Sequence, residues 1–168
     1  MNTTNKYVRK MENNQLNNSP QEILIKDKTF IIRLLELEEM ELMFPLINIL
    51  NEKMTYELFS ERLKLIIDTN NYQCVGIFDD KNLVACAGLW QLAKFYIGKH
   101  LEVDNVAVLS EYQNYGLGTQ LMNWVENFAK QQNCVAVELN AYIGNEKAHK
   151  FYFNRNYKIM GFHFRKDV

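Results

Sequence analysis

Hydrophobic and polar positions follow two different periods along this chain. Short runs rich in β-branched and aromatic residues are typical of strands, whereas apolar residues three or four positions apart are typical of helices. The strand pattern predicts strands at residues 29–34, 72–78, 83–95, 100–108, 134–139 and 157–164. The helix pattern predicts helices at residues 37–50, 56–67, 119–132 and 145–155.

Individual residues refine the ends of these helices. Pro45 lies inside the first helical pattern, so it should kink that helix or begin a second short one. Thr55 and Asn145 stand where the second and last helices begin, and their side-chain oxygens make them natural N-caps.

The order of the predicted elements, β-α-α-β-β-β-α-β-α-β, indicates the fold class. Strands that follow one another closely pair as antiparallel hairpins, whereas strands that alternate with helices favour parallel pairing. We therefore predict an α/β (α+β) fold, a mixed and mostly antiparallel sheet of six to seven strands with helices on both faces. Residues 1–21 are polar, rich in asparagine and without period, and we expect a flexible tail there. Residues 22–168 should form a single domain.

Composition excludes several classes of protein. The chain has 168 residues, 48% of them apolar, and a formal net charge of −1, so it has no overall basic footprint for nucleic acid. No run approaches the roughly 20 apolar residues of a membrane helix, and the N-terminus lacks the apolar core of a secretory signal. We expect a cytoplasmic protein that binds neither nucleic acid nor membranes.

Cysteines and histidines give no sign of a metal site. Each type occurs three times, and the spacing is not that of paired ligands. The cysteines lie in apolar, strand-like runs, where they are expected to be small buried side chains in a reducing compartment. We predict neither a disulfide nor a bound metal.

The segment Gln-Asn-Tyr-Gly-Leu-Gly at residues 113–118 is the strongest candidate for a binding site. It joins a predicted strand to a predicted helix, and Gly116 and Gly118 allow a tight turn with no side chain over it. The free N–H groups and the positive dipole end of the helix would face this turn, as in phosphate sites. The Walker and dinucleotide patterns both fail, because Thr119 follows Gly118 and position 121 is leucine. By itself the segment is also compatible with an ordinary turn.

A second motif favours a binding site over an ordinary turn at residues 113–118. Asn-x-x-Ala-x-x-Phe-Tyr follows at residues 145–152, after one more predicted strand. Together with Q-x-x-G-x-G, it resembles the GNAT superfamily of acyl-CoA-dependent N-acyltransferases. The resemblance covers residues 29–164 in element order and is strongest at 104–108, 113–118 and 145–152. The chain departs from the family pattern at Asn114, a position that is often glycine, but asparagine tolerates positive φ better than most residues.

The resemblance implies acetyl-CoA as cosubstrate and no metal. The pyrophosphate would meet the turn through the main chain of Gln113, Asn114, Tyr115, Gly116, Leu117, Gly118 and Thr119. The extended pantetheine arm would pair with the main chain of Val106, Ala107 and Val108, as an added strand does. Asn145 would lie near the same arm.

The implied reaction is attack of a primary amine on a thioester. An ammonium must first lose a proton, and Glu102 and Asp104, two residues apart on one predicted strand, are candidates for the general base. The alternative for Glu102 is a surface ion pair. The CoA thiolate needs a proton donor, and the resemblance suggests Tyr152, for which the alternative is a core tyrosine.

The resulting hypothesis is an acetyltransferase. It would move an acetyl group from acetyl-CoA to a primary amine of an unidentified small molecule or peptide, as a monomer or homodimer. One alternative is an acyl-CoA-binding sensor with little or no transfer activity, and another is a nucleotide-binding protein of a different fold.

Overall fold

Strands in the chain form one open sheet. The computed structural model describes residues 19–168. Its strands are β1 (Gln21–Ile25), β2 (Lys28–Leu34), β3 (Tyr72–Asp79), β4 (Asn82–Lys94), β5 (Gly98–Val108) and β6 (Val137–Leu139). They are neighbours in sequence order, and every pair is antiparallel except β5 and β6, which are parallel. The predicted fold class, a mixed and mostly antiparallel sheet, is confirmed.

Helices begin at residues that suit a helix start. The α-helices are α1 (Phe44–Leu50), α2 (Tyr56–Ile67), α3 (Leu117–Gln131) and α4 (Glu146–Phe153). Thr55 Oγ1 accepts a hydrogen bond from Leu58 N at 3.3 Å, and Asn145 Oδ1 accepts one from Ala148 N at 3.1 Å. Both predicted N-caps are therefore confirmed.

The sheet separates two hydrophobic cores. The α3-side core contains buried residues of α3, such as Leu121, Val125 and Phe128, packed on strands β2 to β5. The α1–α2-side core contains buried residues of the other two helices, such as Leu46 and Phe59, packed on the opposite face. Helices therefore cover both faces, as the sequence predicted.

The first predicted helix, residues 37–50, is divided in two. Leu37–Met43 forms a 3-10 helix, and α1 begins at Phe44 with Pro45 in its first turn. Proline lacks an N–H group and fits the first turn of a helix but not its interior. The break is the outcome expected for Pro45.

Strand β1 was not predicted. It forms a hairpin with β2 through Lys26 and Asp27, which have φ values of 50° and 62°. This turn matches the left-handed conformation favoured in two-residue hairpins, but neither residue is glycine. Gln21, where β1 begins, is the last residue of the predicted tail, and residues 1–18 of that tail lie outside the described residues.

The predicted strand at residues 157–164 is wrong in this structure. Residues 154–168 form no helix or strand, and residues 158–168 are exposed. A strand needs a partner for its main chain, and the outer strand β6 is only 3 residues long. The predicted strand at 134–139 likewise shortens to Val137–Leu139.

The described residues contain no helix with the length and apolar character needed to cross a membrane.

Candidate active site

A β-bulge interrupts the pairing of β4 and β5. Cys86 lies opposite Ala107 and Gly88 opposite Asp104, so Ala87 faces two residues of β5, Asn105 and Val106. Asn105 has a φ of 49°, in the left-handed region. Bulges bend a strand, leave main-chain groups unpaired and are common beside active sites.

The bulge also reverses which face each side chain meets. Before it, Leu101 and Val103 contribute to the α3-side core, so His100, Glu102 and Asp104 lie on the α1–α2 face. After it, Ala107 contributes to the α1–α2-side core, while Val106 and Val108 pack against the α3-side core.

Strands β5 and β6 pair over only three residues and then separate. Leu101–Val103 pairs with Val137–Leu139, but β5 continues to Val108 while β6 ends. Among the described residues, no strand therefore flanks Val106, Ala107 and Val108 on the β6 side. The sheet opens there into a cleft, and one side of the cleft is the unpaired edge of β5. An extended ligand with amide groups can form hydrogen bonds with such an edge, as an added strand does.

The turn at the end of this cleft has the conformation that its sequence predicted. Asn114 and Gly116 have φ values of 67° and 83°, and α3 begins at Leu117. The main-chain N–H groups of residues 114–118 donate to no acceptor among the described residues. The N–H of Thr119 is already used, since it donates to Gly116 O at 3.0 Å. Free N–H groups and the positive end of the helix dipole make this turn a candidate anion site.

Gln113 and Lys26 fix this turn from two directions. Gln113 Nε2 donates to Val108 O at 3.4 Å, which links the turn to β5. Lys26, from the β1–β2 hairpin, donates through Nζ to Asn114 O at 3.1 Å and lies 4.9 Å from the Tyr115 ring centroid. Lys26 was not predicted from the sequence, because it is 88 residues from Asn114 and no motif contains it.

Helix α4 contacts the first turn of α3. A Cβ placed on Gly118 would lie 3.7 Å from Cζ of Phe151, so the glycine allows close approach of the two helices. The adjacent Tyr152 packs on the ring of Tyr157 at 5.6 Å between centroids. The two motifs that the sequence placed far apart, residues 113–118 and 145–152, are therefore in contact.

Tyr152 is half-buried, and its hydroxyl group has no hydrogen-bond partner among the described residues. Burial raises the pKa of its phenol above the ordinary value, so the group stays protonated at neutral pH. A protonated hydroxyl without a protein acceptor is suited to donate to a ligand. Asn145 uses Oδ1 as the cap of α4, and its amide group donates to no described residue.

Asp104 is held in a polar cluster on the α1–α2 face. Its Oδ2 accepts a hydrogen bond from Trp90 Nε1 at 2.9 Å, and Oδ1 is buried beside Asn105 without a bond of good geometry. Burial raises the pKa of Asp104, while the Trp90 bond opposes the shift. A Cβ on Gly88 would overlap Oδ1 of Asp104 and the hydroxyl of Tyr72, so only glycine leaves room for this cluster.

Glu102 lies on the same face as Asp104, as the sequence predicted, but its surroundings differ. Its Oε2 forms an ion pair with Lys94 Nζ at 2.9 Å, and Oε1 accepts a hydrogen bond from Asn140 at 3.4 Å. The ion pair considered as the alternative role for Glu102 is therefore present in the structure.

Two cavities lie on opposite sides of the sheet. One of about 180 Å³ lies beside Asn105 and Tyr72, between the bulge and helices α1 and α2. A larger one of about 540 Å³ lies between β1, β2 and α3 and contains none of the predicted site residues. The smaller cavity is lined by Asn105, the bulge residue, and by Tyr72, whose hydroxyl lies near Oδ1 of Asp104.

The fold and the cleft together define a class, and comparison with known proteins agrees. Residues 38–157 match the model of the acetyltransferase (GNAT) family, and the chain belongs to that family. Members of this family use acetyl-CoA as cosubstrate. The protein is accordingly a GNAT-type acyltransferase.

Two relatives are similar to this chain in sequence, and a solved structure is similar to it in fold. An uncharacterised N-acetyltransferase of Bacillus subtilis, YhdJ, is 21% identical over 132 residues, which is 78% of this chain and 93% of the relative. An aminoalkylphosphonate N-acetyltransferase of Salmonella typhimurium is 33% identical over 67 residues, 40% of this chain and 44% of the relative. The structure of glucosamine-6-phosphate N-acetyltransferase from Arabidopsis thaliana superposes with a TM-score of 0.64 at 22% identity, covering 83% of this chain and 99% of that one.

Proposed function

We propose that this protein transfers an acetyl group from acetyl-CoA to a primary amine by direct attack of the amine on the thioester. The observation that supports it best is the continuous path formed by the free edge of β5 and the free N–H groups of residues 114–118. An extended pantetheine arm fits the first part of the path, and a pyrophosphate fits the second.

In this proposal the phosphates lie at the start of α3. The unbonded main-chain N–H groups there are available to bind the phosphates, and no side chain of the described residues lies over Gly116. Lys26 adds a positive charge beside Asn114. The main chain of Val106, Ala107 and Val108 pairs with the amides of the pantetheine arm, and the amide of Asn145 is free to bond the same arm from α4.

Asp104 is the better candidate for the general base. It lies next to the bulge and near Tyr72, which lines the smaller cavity. Burial raises the pKa of its carboxyl group, which makes it a stronger proton acceptor. Glu102 is held by Lys94, so taking up a proton would break an ion pair. The ammonium of the acceptor loses its proton to Asp104, directly or through water, before the nitrogen attacks the thioester carbonyl.

Tyr152 supplies the proton at the other end of the reaction. Breakdown of the tetrahedral intermediate releases a thiolate, and a neutral phenol within reach can donate to the sulfur. The raised pKa of Tyr152 keeps this proton in place until the thiolate forms. The nitrogen loses its second proton as the amide forms, and CoA leaves as the free thiol. Tyr152 regains a proton from solvent and Asp104 releases one to solvent, so one proton is released overall.

The test measures the release of CoA thiol from acetyl-CoA in the presence of a panel of amines. We expect amine-dependent release with at least one acceptor, and Tyr152→Phe should lower kcat about 100-fold while the KM for acetyl-CoA changes little. Tyr157→Phe is the matched control, because its hydroxyl bonds to Glu126 at 3.2 Å rather than facing the cleft. Binding of acetyl-CoA without turnover on any amine would favour the sensor alternative instead.

A further inference from the structure

Three side chains bring metal-ligating atoms together where β5 and β6 pair. His100 and Glu102 come from β5, and Glu138 lies opposite Glu102 on β6. One ligand atom from each residue lies within 4.8 Å of the others. The sequence analysis expected no metal site because the histidines are scattered, but the parallel pairing of β6 adds a carboxylate that no spacing in the sequence reveals.

His100 has an unusual environment for an imidazole. The ring is fully buried, with 0% of the residue exposed. Its Nδ1 lies 3.0 Å from the carbonyl oxygen of Gly98, an arrangement in which Nδ1 donates its proton. In the neutral ring Nε2 is then an acceptor, yet it has no hydrogen-bond partner within residues 19–168 and lies 3.4 Å from Oε2 of Glu138. Two acceptors that face each other are stabilised by a cation between them.

A cation already lies beside the two carboxylates. Lys94 Nζ is 2.9 Å from Glu102 Oε2 and 3.3 Å from Glu138 Oε2. An ammonium at these distances neutralises part of the charge of the two carboxylates. The side chain of Lys94 is 38% exposed at the end of β4, so it can rotate into solvent.

The remaining polar neighbours hold the carboxylates in position. Tyr96 donates its hydroxyl to Glu138 at 2.8 Å, and Asn140 donates to Glu102 at 3.4 Å. Even with Lys94 present, two carboxylates and one ammonium leave a net negative charge beside the unpaired Nε2. Hydrogen bonds to ligand carboxylates, such as these from Tyr96 and Asn140, orient the carboxylates of metal sites.

We propose that His100, Glu102 and Glu138 form a binding site for a divalent transition-metal ion, such as Co²⁺, Zn²⁺ or Mn²⁺, which replaces the ammonium of Lys94. One imidazole nitrogen with two carboxylates is a ligand set that suits these ions. Three protein ligands leave further coordination positions for water or another donor. The site goes beyond the proposed acetyl transfer and does not depend on it.

The experiment titrates Co²⁺ into the chelator-treated full chain, without acetyl-CoA, and records the heat of binding and visible absorption. We expect one saturable site in the wild-type protein. Glu138→Gln and His100→Asn should each weaken binding at least about 10-fold. Lys94→Gln should strengthen it about 10-fold by removing the competing charge, whereas Lys94→Arg, which keeps that charge, should not.

Controls separate the site from the other histidines and from unfolding. His163→Asn changes an exposed residue outside the cluster and should leave Co²⁺ affinity unchanged. Glu138 is partly exposed, so Glu138→Gln remains informative even where the buried His100→Asn variant fails to fold. Absence of saturable binding in both wild type and Lys94→Gln would overturn the proposal, and so would wild-type affinity in Glu138→Gln. Either result would indicate instead that His100 only packs against Glu138 and that the cluster binds no metal.

Discussion

Asp104 shows how the surroundings of a single residue determine its chemistry. It keeps one hydrogen bond, from Trp90, and is otherwise buried, whereas Glu102 two residues earlier is paired with Lys94. Asp104→Asn preserves size and can still accept the Trp90 bond, so we expect intact folding and a fall in kcat of about 100-fold or more. Steady-state kinetics of Asp104→Asn and Glu102→Gln measure the two values of kcat. A larger loss of kcat in Glu102→Gln would indicate that Glu102, not Asp104, is the general base.

The same carboxylate should also make stability depend on pH. The native pKa of Asp104 is raised above the ordinary value of 3.8, so the native state holds this proton more tightly than the unfolded state. Stability due to this group is therefore lost as pH rises from below 3.8 through the native pKa. Asp104→Asn removes the cost of burying a charged carboxylate. The stability of this variant relative to wild type should therefore be higher at pH 7 than at pH 3.

Urea unfolding at the two pH values measures this difference. Asp68→Asn, at an exposed carboxyl group, is the control, because an exposed group has little desolvation to relieve. Equal stability differences for Asp104→Asn at both pH values would contradict the argument from burial.

At the scale of elements, the start of α3 depends on one glycine. Gly116 has a φ of 83°, and the N–H groups of Leu117 and Gly118 after it are free to bind an anion. Gly116→Ala should destabilise the fold by about 1–2 kcal/mol and weaken CoA binding, because alanine disfavours the left-handed region. Gly116→Asn should retain more of the stability and of the CoA affinity than Gly116→Ala, since asparagine tolerates this conformation.

Calorimetric titration with CoA and urea unfolding measure the two effects. Gly144→Ala provides the matched control, because Gly144 does not have a positive φ and a Cβ there would meet open space. If Gly116→Ala bound CoA as tightly as wild type, the turn would not be the phosphate site.

At the scale of the whole molecule, the chain after α4 divides into an anchored and a free part. Arg155 donates to Glu126 at 2.8 Å, and Tyr157 donates to the same carboxylate at 3.2 Å. Residues 158–168 are exposed, and within the part of the chain that the structure describes they form hydrogen bonds only among themselves. Truncation after Lys158 should therefore change stability by less than about 0.5 kcal/mol, whereas truncation after Asn154 should lower it by about 2–3 kcal/mol.

Thermal unfolding of both truncated chains tests the division. A marked loss of stability on truncation after Lys158 would show that the exposed apolar residues, among them Phe162 and Phe164, pack against another surface in solution.

The sequence alone determined the features that depend on neighbouring residues. The period of hydrophobic residues predicted the central strands and the helices. Thr55 and Asn145 were predicted as the caps of α2 and α4, and the spacing of Gly116 and Gly118 predicted the turn before α3. Each of these follows from local main-chain geometry and side-chain reach, which are set within a few residues.

Tertiary structure alone decided which distant residues meet. The bulge at Asn105, the early end of β6, the contact of Lys26 with Asn114 and the approach of Glu138 to His100 all depend on strand register. In the folded chain, residues 157–164 also have no partner strand, although their alternation of apolar and polar residues is typical of a strand. Register is set by packing over the whole sheet, so these features could not be predicted from local pattern.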